Sequence, residues 1–283
     1  MNFTTLISPQ DLAEFCGSTE LLVVDCRFDL ADTRKGENAW RASHLPNAHY
    51  ASLDHDLSDL SKQGLGRHPL PDIERFAAAL RRWGWRPDQQ VVAYDDATGS
   101  TASRLWWMLR LIGHRRAAVL DGGFAAWSAA CLPLSNEVPA QAGGAIDLAF
   151  AADQIVYADE LEAGLRDASV LLLDARAAAR FRGDVEPLDK VAGHIPGARN
   201  RPFNDNLAAD GVFKHADELR EEFETVIAGY EPEQVIHSCG SGVTACHNLL
   251  AMEHAGLGGS RIFAPSWSGW IADASRPVAR GTA

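Results

Sequence analysis

The two halves of this 283-residue chain answer one another motif by motif, and a duplicated chain must fold as two copies of one architecture. Leu22-Val23-Val24-Asp25-Cys26-Arg27 matches Leu171-Leu172-Leu173-Asp174-Ala175-Arg176, each a short apolar run closed by an acidic and then a basic residue. Ser43-His44-Leu45-Pro46-Asn47-Ala48 matches Gly193-His194-Ile195-Pro196-Gly197-Ala198, a turn in which proline fixes the backbone. Val91-Val92-Ala93-Tyr94-Asp95 matches Val235-Ile236-His237-Ser238-Cys239, and the segment from Leu120 to Trp127 matches that from Phe263 to Trp270. The matches keep the same order at offsets of 149, 150, 144 and 143 residues, so whole domains are repeated rather than one isolated motif.

Within each half, short uninterrupted apolar runs read as buried parallel strands, and helical patterns alternate with them. The periodicity predicts helices over Ile73–Trp83, Ser103–Ile112, Asp217–Ile227 and Thr244–Ala255. The expected fold class is α/β, with two tandem domains, each a mostly parallel sheet flanked by helices. The small, polar, aperiodic stretch from Ser135 to Gly144 reads as the linker, which gives domains at 1–140 and 141–283.

The halves differ where chemistry would sit. Cys239 occupies the position of Asp95, and the loop after Asp95 is one residue longer. A carboxylate cannot do a thiolate's chemistry, so the second domain is expected to be catalytic and the first inactive. Cys239 lies between an apolar strand end and a helix start, beyond the carboxyl end of a strand, where ligands gather in open parallel sheets. Gly240 and Gly242 let the chain curl so that backbone N–H groups face the sulfur, and such a nest favours the thiolate.

A nested thiolate supports either phosphoester cleavage or transfer of a sulfane sulfur through a persulfide. Cysteine phosphatases close the loop with a guanidinium that grips the phosphate, but here that position is Ala245 and no basic residue lies between Cys239 and Cys246. His237 and His247 flank the loop, on a strand and on a first helical turn that point them away from the thiol, which disfavours a thiol hydrolase. The net charge of -12 argues against nucleic acid or an anionic membrane as partner, and no apolar stretch is long enough to cross a bilayer. Five scattered cysteines without paired spacing suggest neither a disulfide framework nor a metal site. Reduced thiols and the absence of an apolar leader at the N-terminus fit a cytoplasmic protein.

The duplicated pattern and the loop Cys239-Gly240-Ser241-Gly242-Val243-Thr244 resemble the tandem-domain rhodanese-like sulfurtransferases over nearly the whole chain. The loop is most similar to the 3-mercaptopyruvate branch, since thiosulfate enzymes of the family tend to carry an Arg-Lys pair after the cysteine. The resemblance implies a transferase that needs no cofactor. Cys239 would take sulfur from 3-mercaptopyruvate as a persulfide and pass it to a thiol, thioredoxin-like or cyanide acceptor. Ser241 would relay a proton, the loop amides would stabilise the sulfur, and Arg180 would hold the donor carboxylate. Two departures stand out. Lys190, the substrate-binding candidate that would substitute as a point charge, lies where mercaptopyruvate enzymes carry a second arginine, and Ala264-Pro265-Ser266-Trp267-Ser268-Gly269-Trp270 replaces an expected Asp-Gly-Ser-Trp-x-Glu-Trp. Thiosulfate as donor, or a non-catalytic sulfur-carrier module, are the alternatives.

Other residues read as architecture or as wall. His44 and His194, and the Asp25-Arg27 and Asp174-Arg176 pairs, recur in both halves and so suggest structural roles. Arg67-His68-Pro69-Leu70-Pro71 occurs only in the first half, and His68 is a candidate substrate contact. Cys246 reads as packed rather than reactive.

Overall fold

The computed structural model describes residues 2–140 and 147–282. The chain forms two compact units, one of residues 1–59 and 71–151 and the other of residues 60–70 and 152–283. The boundary expected near residue 140 falls beside residues 141–146, which lie outside the described residues, and the units change over at Ala151 and Ala152. A second difference matters more for function: residues 60–70, in the first half of the sequence, belong to the second unit.

The first unit runs β1 (Leu6–Ile7), α1 (Pro9–Ala13), β2 (Leu21–Asp25), α2 (Lys35–Ala42), β3 (His49–Tyr50), α3 (Ile73–Arg82), β4 (Gln90–Tyr94), α4 (Ala102–Leu111), β5 (Ala117–Leu120) and α5 (Gly123–Ala129). The second runs β6 (Ile155–Val156), α6 (Ala158–Arg166), β7 (Leu171–Asp174), α7 (Ala178–Arg182), β8 (Arg199–Asn200), α8 (Ala216–Val226), β9 (Val235–Ser238), α9 (Ala245–His254), β10 (Arg261–Phe263) and α10 (Ser266–Trp270). Both sheets are parallel and share one strand order, β1-β5-β4-β2-β3 and β6-β10-β9-β7-β8. The motif matches in the sequence are thus matches of topology.

The central strands are apolar because helices cover both faces. β4 and β9 are buried along their whole length, as a parallel strand inside two helical layers must be. The helices that follow them are not amphipathic surface helices. α9 buries Ala245 through Met252 and α4 buries nearly every residue, so each is a central, fixed platform for the loop before it.

The recurring residues hold the frame. Arg27 pairs with Asp25 and donates to the Ser43 carbonyl at 2.6 Å, and Arg176 pairs with Asp174 and donates to the Gly193 carbonyl at 2.8 Å. Each buried pair ties a strand end to the histidine-bearing turn, and breaking one would leave an uncompensated buried charge at a cost of about 3–5 kcal/mol. His44 bonds the Trp40 carbonyl at 2.7 Å through Nδ1, and His194 bonds the Phe181 carbonyl at 2.8 Å while stacking on the Phe181 ring.

Candidate active site

Cys239 follows directly on β9, the middle strand of its sheet, and is 2% exposed. The chain from Cys239 to Thr244 curls back over the sulfur, using the left-handed conformation of Gly242 (φ 80°) that only glycine adopts freely. The curl brings the Gly242 amide to 3.1 Å from Cys239 Sγ. Val243 and Thr244 complete the turn into α9, where Cys246 donates its thiol hydrogen to the Gly242 carbonyl at 3.3 Å. Cys246 is therefore a packed residue that pins the loop.

The start of α10 holds the loop from the other side. Trp267 and Ser268 donate their amides to the Cys239 and Gly240 carbonyls at 3.0 and 2.9 Å. Ser266 sits at φ 52°, a left-handed conformation unusual for a non-glycine residue, and its buried hydroxyl accepts the Cys239 amide at 3.1 Å. The strained turn thus places an oxygen under the cysteine backbone. The unusual motif around it is internally consistent, because a Cβ at Gly269 would lie 2.4 Å from Pro265 Cβ and 3.2 Å from the Gly66 nitrogen. Side chains at 265 and 269 exclude one another through their Cβ atoms, so with proline at 265 only glycine fits at 269.

Residues 60–70 reach the loop. Gly66 packs so closely on the Pro265 carbonyl that a Cβ would lie at 2.5 Å, and the Arg67 amide donates to Ser268 Oγ at 2.9 Å. This anchoring seats His68 Nδ1 at 2.8 Å from Ser241 Oγ, with both residues buried. His68, the candidate substrate contact, therefore meets the loop hydroxyl of Ser241.

Two guanidiniums border the loop at Gly240. From the Cβ position of that glycine, Arg67 Nη2 is 3.1 Å away and both Arg180 Nη atoms are 3.6 Å away. Arg180 is held by Glu186 at 2.7 Å and Asp189 at 3.1 Å, and Arg67 reaches Asp189 at 2.5 Å. Burial would push the Glu186 carboxyl up, but hydrogen bonds from Arg180 and from the Leu188 and Asp189 amides hold it below the ordinary carboxylate range. Lys190 is exposed, and among the described residues it makes no ion pair with the loop or its neighbours. Arg67, which the sequence did not single out, stands at the loop in its place. Its signal was its position beside His68 in a segment that only one half carries.

The remaining candidates lie apart from the sulfur. His237 bonds Ser260 Oγ at 3.1 Å, and burial pushes its pKa down to about 3, so it stays neutral. His247 stacks on Phe213 and contacts Asn206. Neither supplies a base to Cys239. Cys26 is also buried, and desolvation holds its thiol well above the ordinary range.

Comparison with known proteins agrees with this architecture. The model of the rhodanese-like domain matches twice, over residues 8–130 and 157–273. A probable 3-mercaptopyruvate sulfurtransferase of Pseudomonas aeruginosa is 46% identical over 99% of this chain and 100% of its own length. A putative thiosulfate sulfurtransferase of Mycobacterium tuberculosis is 39% identical over 92% of this chain and 91% of its own. Among solved structures, the 3-mercaptopyruvate sulfotransferase SseA of Escherichia coli superposes with a TM-score of 0.80 at 31% identity, covering 94% of this chain and 100% of its own. With two domain matches, full-length relatives and one parallel sheet order shared by both units, this chain belongs to the rhodanese-like family.

Proposed function

We propose that the chain is a sulfurtransferase that moves a sulfane sulfur from 3-mercaptopyruvate to a thiol or cyanide acceptor through a persulfide on Cys239. The observation that carries this reading is the Gly242 amide 3.1 Å from the buried Cys239 sulfur, in a loop bordered by Arg67 and Arg180. Full-length relatives named for the 3-mercaptopyruvate reaction support the choice of donor.

In the first step the Cys239 thiolate attacks the donor sulfur. The donor's carbon–sulfur bond breaks, its electron pair passes to carbon as the enolate of pyruvate, and the new sulfur–sulfur bond leaves Cys239 as a persulfide. The enolate carbon takes a proton from the Ser241 hydroxyl, which His68 replenishes across their 2.8 Å hydrogen bond. The loop amide donates to the sulfur as charge redistributes, without reorganising during the step. Arg180 and Arg67 orient the donor carboxylate, while exposed Lys190 contributes at most a distant charge. In the second step an acceptor thiolate, free or on a thioredoxin-like protein, attacks the outer sulfur and returns the electron pair to Cys239. The first unit, with Asp95 at the matching position, takes no part in the chemistry. The five free cysteines accord with a reducing compartment, and we read the protein as cytoplasmic.

One observation favours thiosulfate as a second donor. Arg67 brings a cation to Gly240, where thiosulfate enzymes of the family carry charge within the loop itself. Pyruvate formation from 3-mercaptopyruvate and sulfite formation from thiosulfate, measured on one preparation, test the assignment. The higher kcat/KM is expected for 3-mercaptopyruvate, and a higher value for thiosulfate would reverse it.

A further inference from the structure

We propose that Asp189 is a built-in competitor of the donor at the Arg67–Arg180 pair, and that it sets both donor affinity and the discrimination between singly and doubly charged donors. The inference rests on the reading that these guanidiniums receive an anionic donor. Asp189 is 5% exposed at its side chain, with Oδ1 accepting from Arg67 Nη1 at 2.5 Å and Oδ2 from Arg180 Nη2 at 3.1 Å. A carboxylate that bridges two guanidiniums beside the nucleophile's loop occupies the contacts a donor carboxylate would make.

Charge counting identifies the two acids as different in kind. Glu186 bonds Arg180 through Nε and Nη2 and also faces Arg176 at 3.5 Å, so it belongs to the buried frame. Asp189 instead spans Arg180 and Arg67, and no frame residue depends on it. Arg67 Nε is buried and has no hydrogen-bond partner among the described residues, so this guanidinium keeps an unsatisfied donor. The segment around Asp189 lies at the surface, with Val185 and Leu188 54% and 48% exposed, so the acid can swing away without unpacking the core.

A single negative charge replaces Asp189 like for like. A dianion gains the same two cations but feels twice the repulsion from any carboxylate that stays nearby, so Asp189 weighs against it more heavily. The position that carries a second arginine in mercaptopyruvate enzymes thus lies beside an acid here, with the cation supplied from residues 60–70.

Calorimetric titration of the full chain with pyruvate, a monoanion, and with sulfate, a dianion, tests this without any turnover. At low salt, Asp189→Asn is expected to tighten pyruvate by about tenfold and sulfate by about a hundredfold, because the Coulomb energy doubles with ligand charge. Both gains should shrink as salt is added. Unchanged or weaker binding of both anions would overturn the proposal, since it would make Asp189 a scaffold for the arginines. Equal gains would overturn its part in charge discrimination. Asp189→Ser, compared by the same titrations at matched thermal midpoint, guards against a folding defect in the first variant. Tighter anion binding in a chain that never forms a persulfide would break the proposed function and leave this inference standing.

Discussion

After β4 the chain closes its loop around its own carboxylate, whereas after β9 an equivalent loop closes around a sulfur. Asp95 accepts the amides of Ala97, Gly99, Thr101 and Ala102 at 2.8–3.2 Å and is 4% exposed. Cys239 takes the Gly242 amide at 3.1 Å from a loop one residue shorter. The clasp is shared: Phe124 and Ala125 donate to the Asp95 and Asp96 carbonyls as Trp267 and Ser268 donate to those of Cys239 and Gly240. The comparison separates scaffold from chemistry. Strand, curl and helix build an amide nest in both units, and the side chain at its root decides whether the nest is filled by a fixed anion or by a reactive atom.

The largest test of that comparison empties the first nest. Asp95→Ala leaves several buried amides without an acceptor and should cost about 3–5 kcal/mol in chemical denaturation, a loss near that of breaking a buried ion pair. Sulfur loading on Cys239 should persist in the folded variant. If Asp95→Ala instead abolished loading at unchanged stability, the first nest would not be a plug.

A smaller effect is expected at the clasp of the second. Gly269→Ala forces a methyl against Pro265 and should cost about 1–3 kcal/mol as an overpacked site. Pro265→Gly in the same chain removes the opposing Cβ and should recover part of that loss. Independent, additive costs in the double variant would refute the coupling inferred between the two motif departures.

The smallest effect concerns pH. The strand β9 carries buried, neutral His237 where β4 carries Ala93. Because the folded value is depressed from 6.5 to about 3, the unfolded chain binds the proton more readily, so stability is full above about pH 6.5 and falls as pH drops toward 3. This one group contributes at most about 1.4 kcal/mol per pH unit. His237→Gln should flatten the fall in thermal midpoint between neutral and mildly acid pH. An unchanged slope would assign the loss to other groups, such as the carboxyls of Glu186 and Glu222, which are held low by their Arg and Lys partners despite burial.

The sequence made the fold legible because duplication doubles every signal. Apolar runs such as Leu171–Leu173 and the repeated His-x-Pro turns marked elements that the two parallel sheets then matched in order. Cys239 and its loop were legible because glycine spacing and strand-to-helix position are local properties. What escaped was non-local. Nothing in residues 60–70 says that they join the second unit; that follows from Gly66 packing on the Pro265 carbonyl and Arg67 reaching Ser268, contacts about two hundred residues apart in sequence. For the same reason the resemblance pointed to Lys190, at the position of the family's second arginine, while Arg67 is the cation that borders the loop. The helical spacing over Thr244–Ala255 marked the helix, and its burial on every side became visible only with both neighbouring layers in place.

The proposed chemistry puts the transferred sulfur on Cys239 and none on the first unit. Intact-mass and peptide mapping of the chain after incubation with 3-mercaptopyruvate, without acceptor, tests it most directly. The expected result is a gain of about 32 Da, one sulfur atom in the persulfide, located on Cys239 by fragmentation and absent from Cys239→Ser. No gain with either donor, or a gain that maps to Cys16, Cys26, Cys131 or Cys246, would contradict it.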